Sequence, residues 1–144
     1  MMMRIVCTLL LYIGVVGFVN GQRDSGFVDL KVGDSITLGA CSHAQYGFMG
    51  IDIVTKTRWI DRGIPYDSVS GAGFYYYFFN EGDFDSRRLG CEYSGKKFKV
   101  VGFQTVKEDN GKERLIIFGR INNDPLTALW IEADEAIAAK ELVF

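Results

Sequence analysis

The chain has 144 residues, 48% of them hydrophobic, and its 16 lysines and arginines are balanced by 18 aspartates and glutamates. The high apolar content and small net charge exclude a disordered chain and a basic nucleic-acid-binding tail. The length suits one domain rather than a multidomain enzyme.

The first 21 residues have the order of a secretory signal peptide. Arg4 precedes a fourteen-residue apolar stretch, residues 5–18, and Gly21 supplies the small residue before the expected cut. The competing interpretation is a retained membrane anchor, but a spanning helix needs about 20 apolar residues. We therefore expect cleavage of residues 1–21 and a secreted, extracellular domain, residues 22–144, with no membrane segment after signal removal.

Signal removal would leave two of the three cysteines. Cys41 and Cys91 then form an even pair in an oxidising compartment, so we expect a disulfide between them. The alternatives are a nucleophilic cysteine assisted by His43 and a metal site that uses both cysteines. A metal site needs three or four ligands, and the chain has one histidine. The sequence therefore favours the disulfide and predicts no metal and no other cofactor.

Two segments alternate apolar and polar residues with the period of a strand. In residues 35–41, Ile36 and Leu38 share one face. In residues 51–61, the odd-numbered positions are predicted to face the core and the even-numbered positions, Lys56 among them, to face solvent. A turn is expected next, over residues 63–67.

Six aromatic residues in succession occupy positions 74–79. The run is short and rich in residues that favour strands, so we predict a strand. A strand would place Tyr75, Tyr77 and Phe79 on one face. If that face is exposed, these three residues form a ligand-binding platform, because aromatic rings supply large, rigid contact areas. The alternative is that both faces belong to the core.

Residues 109–111 are predicted to form the loop of a β-hairpin. A two-residue loop would set like charges opposite each other, whereas a three-residue loop pairs Glu108 with Lys112 and Lys107 with Glu113. Cross-strand pairs of opposite charge contribute up to about 1 kcal/mol each, so we predict the three-residue loop. The same register gives two further pairs: Gly102 with Phe118, and Phe103 with Ile117.

Two predictions compete for the end of the chain. Asp124 and Pro125 resemble a helix start, and the alanine-rich sequence that follows contains good helix formers. Alternatively, residues 126–133 form a last strand. In both cases we expect a C-terminal helix that covers at least residues 134–142.

Cys41, Trp59 and Cys91 resemble the Cys…Trp…Cys frame of immunoglobulin-like domains, over about residues 30–95. In that family the cysteines bridge two sheets and the Trp packs on the bridge. The chain departs from the family at Leu89, where a tyrosine is expected, and in the long sequence after Cys91. The expected fold is mainly β: a single small antiparallel β-sandwich or open barrel with a C-terminal helix and one disulfide.

Motifs for catalysis are missing from the sequence. It contains no Gly-x-Ser-x-Gly, no phosphate-binding loop and no His-Glu-x-x-His. We therefore expect a non-enzymatic recognition domain whose partner is an unknown extracellular protein or small ligand, and no nucleic acid. The alternative is a small-molecule carrier whose strands enclose an aromatic-lined cavity. A small secreted hydrolase that uses acidic residues is the third hypothesis.

Overall fold

The computed structural model describes residues 30–80 and 83–144. The predicted signal peptide, residues 1–21, lies outside the described residues. In the described part of the chain, seven antiparallel strands form one curled half-barrel sheet, with two short helices and a 3-10 turn at Cys91–Tyr93. The mainly β, antiparallel fold is confirmed in its open form.

The strands outnumber the helices along the whole described chain. In chain order the elements are β1 Ser35–Leu38, β2 Ile51–Lys56, α1 Phe74–Phe79, β3 Phe84–Arg88, β4 Lys97–Lys107, β5 Glu113–Arg120, β6 Thr127–Glu132, α2 Ala133–Ala138 and β7 Leu142–Val143. In the sheet the order is β3-β2-β6-β5-β4-β1-β7, so β3 and β7 are the edge strands. No helix in the described ranges is long and apolar enough to cross a membrane.

The hairpin of β4 and β5 has the predicted register. Lys107 lies opposite Glu113, and the Glu108 N–H donates to the Lys112 carbonyl at 2.8 Å. Gly111 has a φ of 81°, the left-handed conformation that the loop requires. The two further pairs are also confirmed: Gly102 with Phe118, and Phe103 with Ile117.

The two faces of the sheet carry different kinds of side chain. One, the aliphatic face, is covered by α2 and buries mostly aliphatic residues, including Ile36, Ile51, Ile53, Ile117, Leu129 and Ile131. The other, the aromatic face, is covered by α1 and includes Phe74, Phe78 and Phe118, with Trp59, Tyr75 and Trp130 packed against them. The register of β4 shifts between Val100 and Gly102, and as a result Val101 and Gly102, although consecutive, both face the aromatic side.

The strand predicted over residues 51–61 ends at Lys56, and the prediction that Lys56 faces solvent is wrong. Its side chain is 2% exposed, because α1 covers the face of β2 to which Lys56 and Val54 belong. Val54 and Lys56 are therefore buried on one face of β2, as Ile51 and Ile53 are on the other. The alternating pattern indicated a strand, but it did not show that a helix from later in the chain would cover the second face.

The strand predicted over residues 74–79 is a helix, α1. Gly73 precedes it with a φ of 83°, and the Tyr77 N–H donates to the Gly73 carbonyl at 2.9 Å. The helix places Phe74 and Phe78, four residues apart, on the same buried side. Tertiary packing of these two rings thus overrides the strand preference of the aromatic sequence.

The C-terminal region contains both a strand and a helix. β6 confirms the alternative of a strand over residues 126–133, and α2 then ends at Ala138, so the predicted helix over 134–142 is too long. Lys140 has a φ of 57°, which breaks the helix and lets the chain enter β7. Asp124 caps a single turn and not a helix: its carboxylate accepts from the Leu126 N–H at 2.9 Å, and the chain enters β6 at Thr127.

The disulfide between Cys41 and Cys91 is confirmed, with a Cα–Cα distance of 5.3 Å. It joins the segment after β1 to the 3-10 turn, and it packs beside the aliphatic face. Trp59 belongs to the aromatic face instead. The immunoglobulin-like arrangement of two bridged sheets with a Trp on the bridge is therefore not found in the single described sheet.

Candidate ligand-binding groove

Helix α1 lies directly on the sheet because β4 has a glycine beneath it. A Cβ atom at Gly102 would lie 2.9 Å from the Phe74 Cβ, closer than side chains pack. The Phe74 ring also contacts Phe118 of β5, with ring centroids 5.3 Å apart. The missing side chain of Gly102 thus fixes how deeply the N-terminal end of α1 docks.

Lys56 holds the other end of α1. Its Nζ donates to the Phe78 carbonyl at 2.6 Å and lies 4.6 Å from the centre of the Trp59 ring. The rings of Phe78 and Phe84 lie 5.2 Å and 5.4 Å from the same nitrogen. A cation surrounded by aromatic faces and bonded to a carbonyl near the C-terminal end of the helix stabilises that end.

Next to this end of α1 is an open groove of about 300 Å³, which we call the aromatic groove. Six residues from three strands and the helix line it: Asp52, Val54, Phe79, Phe84, Ser86 and Trp130. The Phe79 ring lies 5.7 Å from Phe84 and 5.5 Å from Trp130. Phe84 is 39% exposed, so part of this apolar surface is in contact with solvent.

Two of the residues that line the groove have hydrophilic side chains, Asp52 and Ser86. Arg88, from the neighbouring strand, forms an ion pair with Asp52 at 3.3 Å and also donates to the Met49 carbonyl. The pair is partly exposed, so it contributes little to stability, but it fixes the position of the carboxylate. The groove therefore combines apolar rings with a fixed acceptor, as ligand sites commonly do.

The structure separates the three residues predicted to form the platform. Phe79 lines the groove, and Tyr75 packs partly buried against Phe118 and Trp130. Tyr77 lies on another side of the helix, so the single platform face expected from a strand does not form. The groove instead brings Phe79 together with Phe84 and Trp130, two residues that no sequence pattern had marked as binding residues.

Tyr77 belongs to a second group of rings, around the turn before α1. It stacks on Tyr66 at 4.9 Å and lies 4.7 Å from Trp59. The Tyr66 hydroxyl donates to the Val101 carbonyl at 3.1 Å. Burial raises the pKa of Tyr66 above its ordinary value of 10.0, and the Arg120 guanidinium partly offsets that rise.

Asp67 shapes the turn that leads into α1. Its carboxylate accepts from the Val69 N–H at 2.9 Å and from the Ser70 hydroxyl at 2.9 Å. These hydrogen bonds, that from Val69 first, lower the pKa of the Asp67 carboxyl. The carboxylate thus stabilises the turn that precedes α1.

The polar side chains beside the disulfide form hydrogen bonds within the chain. The buried Glu141 carboxylate accepts from the Ser42 hydroxyl at 2.6 Å and from the Gly50 N–H at 3.0 Å, with a further bond from Met49. His43 accepts two backbone N–H groups of its own loop at Nδ1. Within residues 30–80 and 83–144, no group of three or more His, Cys, Asp or Glu side chains converges as metal ligands would.

Comparison with known proteins gives no relative: the chain matches no protein-family model, no curated protein and no solved structure.

Proposed function

We propose that the chain is a secreted, non-enzymatic binding domain that holds an apolar group of its ligand in the aromatic groove. The observation that carries the proposal is the groove itself, where Phe79, Phe84 and Trp130 meet at an open surface beside the Asp52 carboxylate. Rings held on strands and a docked helix lose little conformational freedom on binding. Asp52 would accept a hydrogen bond from the ligand and orient it.

The second candidate is a small-molecule carrier, and the size of the groove favours it. A volume of about 300 Å³ reaches the lower end of the range for small-molecule sites. The groove is open rather than enclosed, which suits a side chain or ring that projects from a larger ligand. We therefore place recognition of an extracellular protein first and a carried small molecule second.

The groove is tested with the hydrophobic fluorophore anilinonaphthalene sulfonate as the probe. Phe84→Ser removes an exposed ring from the groove, so we expect at least about tenfold weaker probe binding, or about 1.4 kcal/mol. Tyr76→Ser is the matched control, because Tyr76 is an exposed aromatic residue, 63% exposed, that does not line the groove. Fluorescence titration gives the affinity, and near-ultraviolet circular dichroism checks the fold. Equal affinities of the two variants would contradict the proposal.

The two candidate functions differ in what remains bound after purification. A carrier should release a small molecule that native mass spectrometry detects on the wild type and on Tyr76→Ser but not on Phe84→Ser. A protein-binding domain should instead purify without one and capture a partner from extracellular fluid with the same dependence on Phe84.

Secretion is tested separately, by expressing the full chain in a secretory host. We expect protein in the medium whose intact mass corresponds to a chain that starts at Gln22 and has no free thiol. A protein retained in the cell with Arg4 still present would contradict the proposal of secretion.

A further inference from the structure

Among residues 30–80 and 83–144, β3 is an edge strand with no strand beside its outer backbone groups. Its five residues are all exposed, and in the described part of the chain it pairs with β2 alone. The pairing with β2 runs without a register shift, and β3 contains no proline. Proteins usually protect such edges with prolines, bulges or charges, and β3 has only charges. The opposite edge, β7, has two residues and offers little to pair with.

The hydrogen bonds to β2 show which backbone groups of β3 point outward. The Leu89 N–H donates to the Ile51 carbonyl at 3.0 Å, and the Thr57 N–H donates to the Asp83 carbonyl at 3.3 Å. In an antiparallel ladder the paired groups alternate along the strand, so the odd-numbered residues of β3 bond to β2. The even-numbered residues therefore direct their N–H and carbonyl groups away from β2. They are Phe84, Ser86 and Arg88.

The charges of β3 distinguish among the registers in which a second copy of β3 could pair antiparallel with it. The outward N–H and carbonyl groups of the two copies bond to each other only in registers that set even-numbered residues of one copy opposite even-numbered residues of the other. A pair centred on Asp85 or on Arg87 would place that charge opposite its own copy, which is unfavourable. A pair centred on Ser86 places Asp85 of each copy opposite Arg87 of the other. These positions lie at sites without direct backbone bonds, where side chains approach most closely.

We propose that two copies of this chain associate through β3, paired antiparallel about Ser86, so that their half-barrel sheets form one continuous sheet. The arrangement is a two-fold dimer with the same surface on both subunits. Two Asp85–Arg87 ion pairs form across the dyad. Neither residue has an ion pair with another described residue of its own chain, so both are available.

The dimer also brings the two aromatic grooves together. Phe84 and Ser86 line the groove and lie on the strand that pairs. Phe84 of one copy would lie opposite Arg88 of the other, where a guanidinium beside a ring is favourable. A pairing of five residues per strand is small for an interface, so we expect association that depends on concentration.

The test is a charge exchange followed by sedimentation equilibrium of the full chain, purified with its disulfide intact, from about 5 μM to about 1 mM. Asp85→Arg alone sets arginine opposite arginine, and Arg87→Asp alone sets aspartate opposite aspartate. Each variant should self-associate at least about tenfold more weakly than the wild type. An equimolar mixture of the two variants should form a heterodimer, because every facing pair is then of opposite charge.

Ser86→Pro provides a second variant that disrupts the edge without altering charge. The Ser86 N–H points away from β2, so its loss costs no bond within the chain. We expect a folded monomer at all concentrations, with a circular dichroism spectrum like that of the wild type.

Three results would overturn the proposal. They are a wild type that stays monomeric up to about 1 mM, single-charge variants that dimerise as the wild type does, and a mixture of the two variants that does not associate. The first result would also be obtained if β3 pairs with a strand of a different protein instead of a second copy.

Discussion

The two faces of the sheet differ in how completely they are covered. On the aliphatic face, α2, the loop of residues 42–50 and the disulfide close over branched side chains, and Glu141 ties the chain end to that loop. On the aromatic face, one six-residue helix, α1, packs on β4 and β5 and bonds to Lys56 of β2, and the surface between its last residue, Phe79, and β3 is open as the aromatic groove.

This difference follows from how far the covering segments extend. Helix α1 ends at Phe79, and the surface between that residue, Phe84 and Trp130 is open as the aromatic groove. We infer that the aliphatic face supplies stability and the aromatic face supplies the binding surface. Substitutions on the two faces should therefore separate changes in stability from changes in probe binding.

The largest effect is expected from the disulfide. Replacing Cys41 and Cys91 together with alanine should lower the free energy of unfolding by about 4 kcal/mol, because the bridge closes a long loop in the unfolded chain. Urea denaturation measures the change. Probe affinity of the folded protein should stay within about twofold of the wild type, and a larger loss would show that the two faces are coupled.

A truncation within the aliphatic face should have the next largest effect. Ile117→Ala should cost about 3 kcal/mol, because Ile117 is fully buried and the change leaves a cavity. Ile117→Val is the control and should cost about 1 kcal/mol. Denaturant unfolding gives both values. If Ile117→Ala weakened probe binding by the folded protein as much as Phe84→Ser does, the proposed division between the faces would be wrong.

Substitution of Lys56 tests how the aromatic face is held in place. Lys56→Met should cost about 2 kcal/mol, because the Phe78 carbonyl loses its buried donor. It should also weaken probe binding, since Lys56 positions the end of α1 from which Phe79 reaches the groove. Lys97→Met, at an exposed position of β4, should change stability by no more than about 0.5 kcal/mol. Equal effects of the two substitutions would contradict the role assigned to Lys56.

The smallest effect concerns Tyr66 and is confined to alkaline pH. The folded protein holds the Tyr66 proton to higher pH than the unfolded chain, whose tyrosine ionises near 10.0. The stability that this difference provides is complete below pH 10 and is lost as the pH rises through the raised pKa of the folded state. Tyr66→Phe should therefore lose less stability than the wild type between about pH 9 and about pH 11. If urea denaturation showed the same loss of stability at alkaline pH for both proteins, the assignment of this loss to Tyr66 would be wrong.

Local sequence was sufficient where neighbouring residues decide the structure. The register of the β4–β5 hairpin follows from charges near its loop and from Gly111, and all of these lie within a few residues of one another. The disulfide was predicted from the number of cysteines together with the expectation of an oxidising compartment, and the bond is present. The alternating pattern identified β1 and most of β2 for the same local reason.

The conformation of the aromatic segment, residues 74–79, could not be predicted from neighbouring residues alone. Residues 74–79 have the composition of a strand, yet Gly102 and Phe118 form a surface on which Phe74 and Phe78 dock as one side of a helix. Three of the groove residues, Val54, Phe84 and Trp130, come from strands that are separated along the chain and adjacent in the sheet. No short motif contains that arrangement.

The mainly β class, the disulfide and the hairpin register could be read from the amino-acid sequence, since they depend on alternation, cysteine number and charges close together in the chain. The helix over residues 74–79, the burial of Lys56 and the aromatic groove became visible only in the folded chain. These features depend on contacts between distant segments, such as the bond from Lys56 to Phe78, which spans 22 residues. Such contacts form only when the sheet brings those segments together.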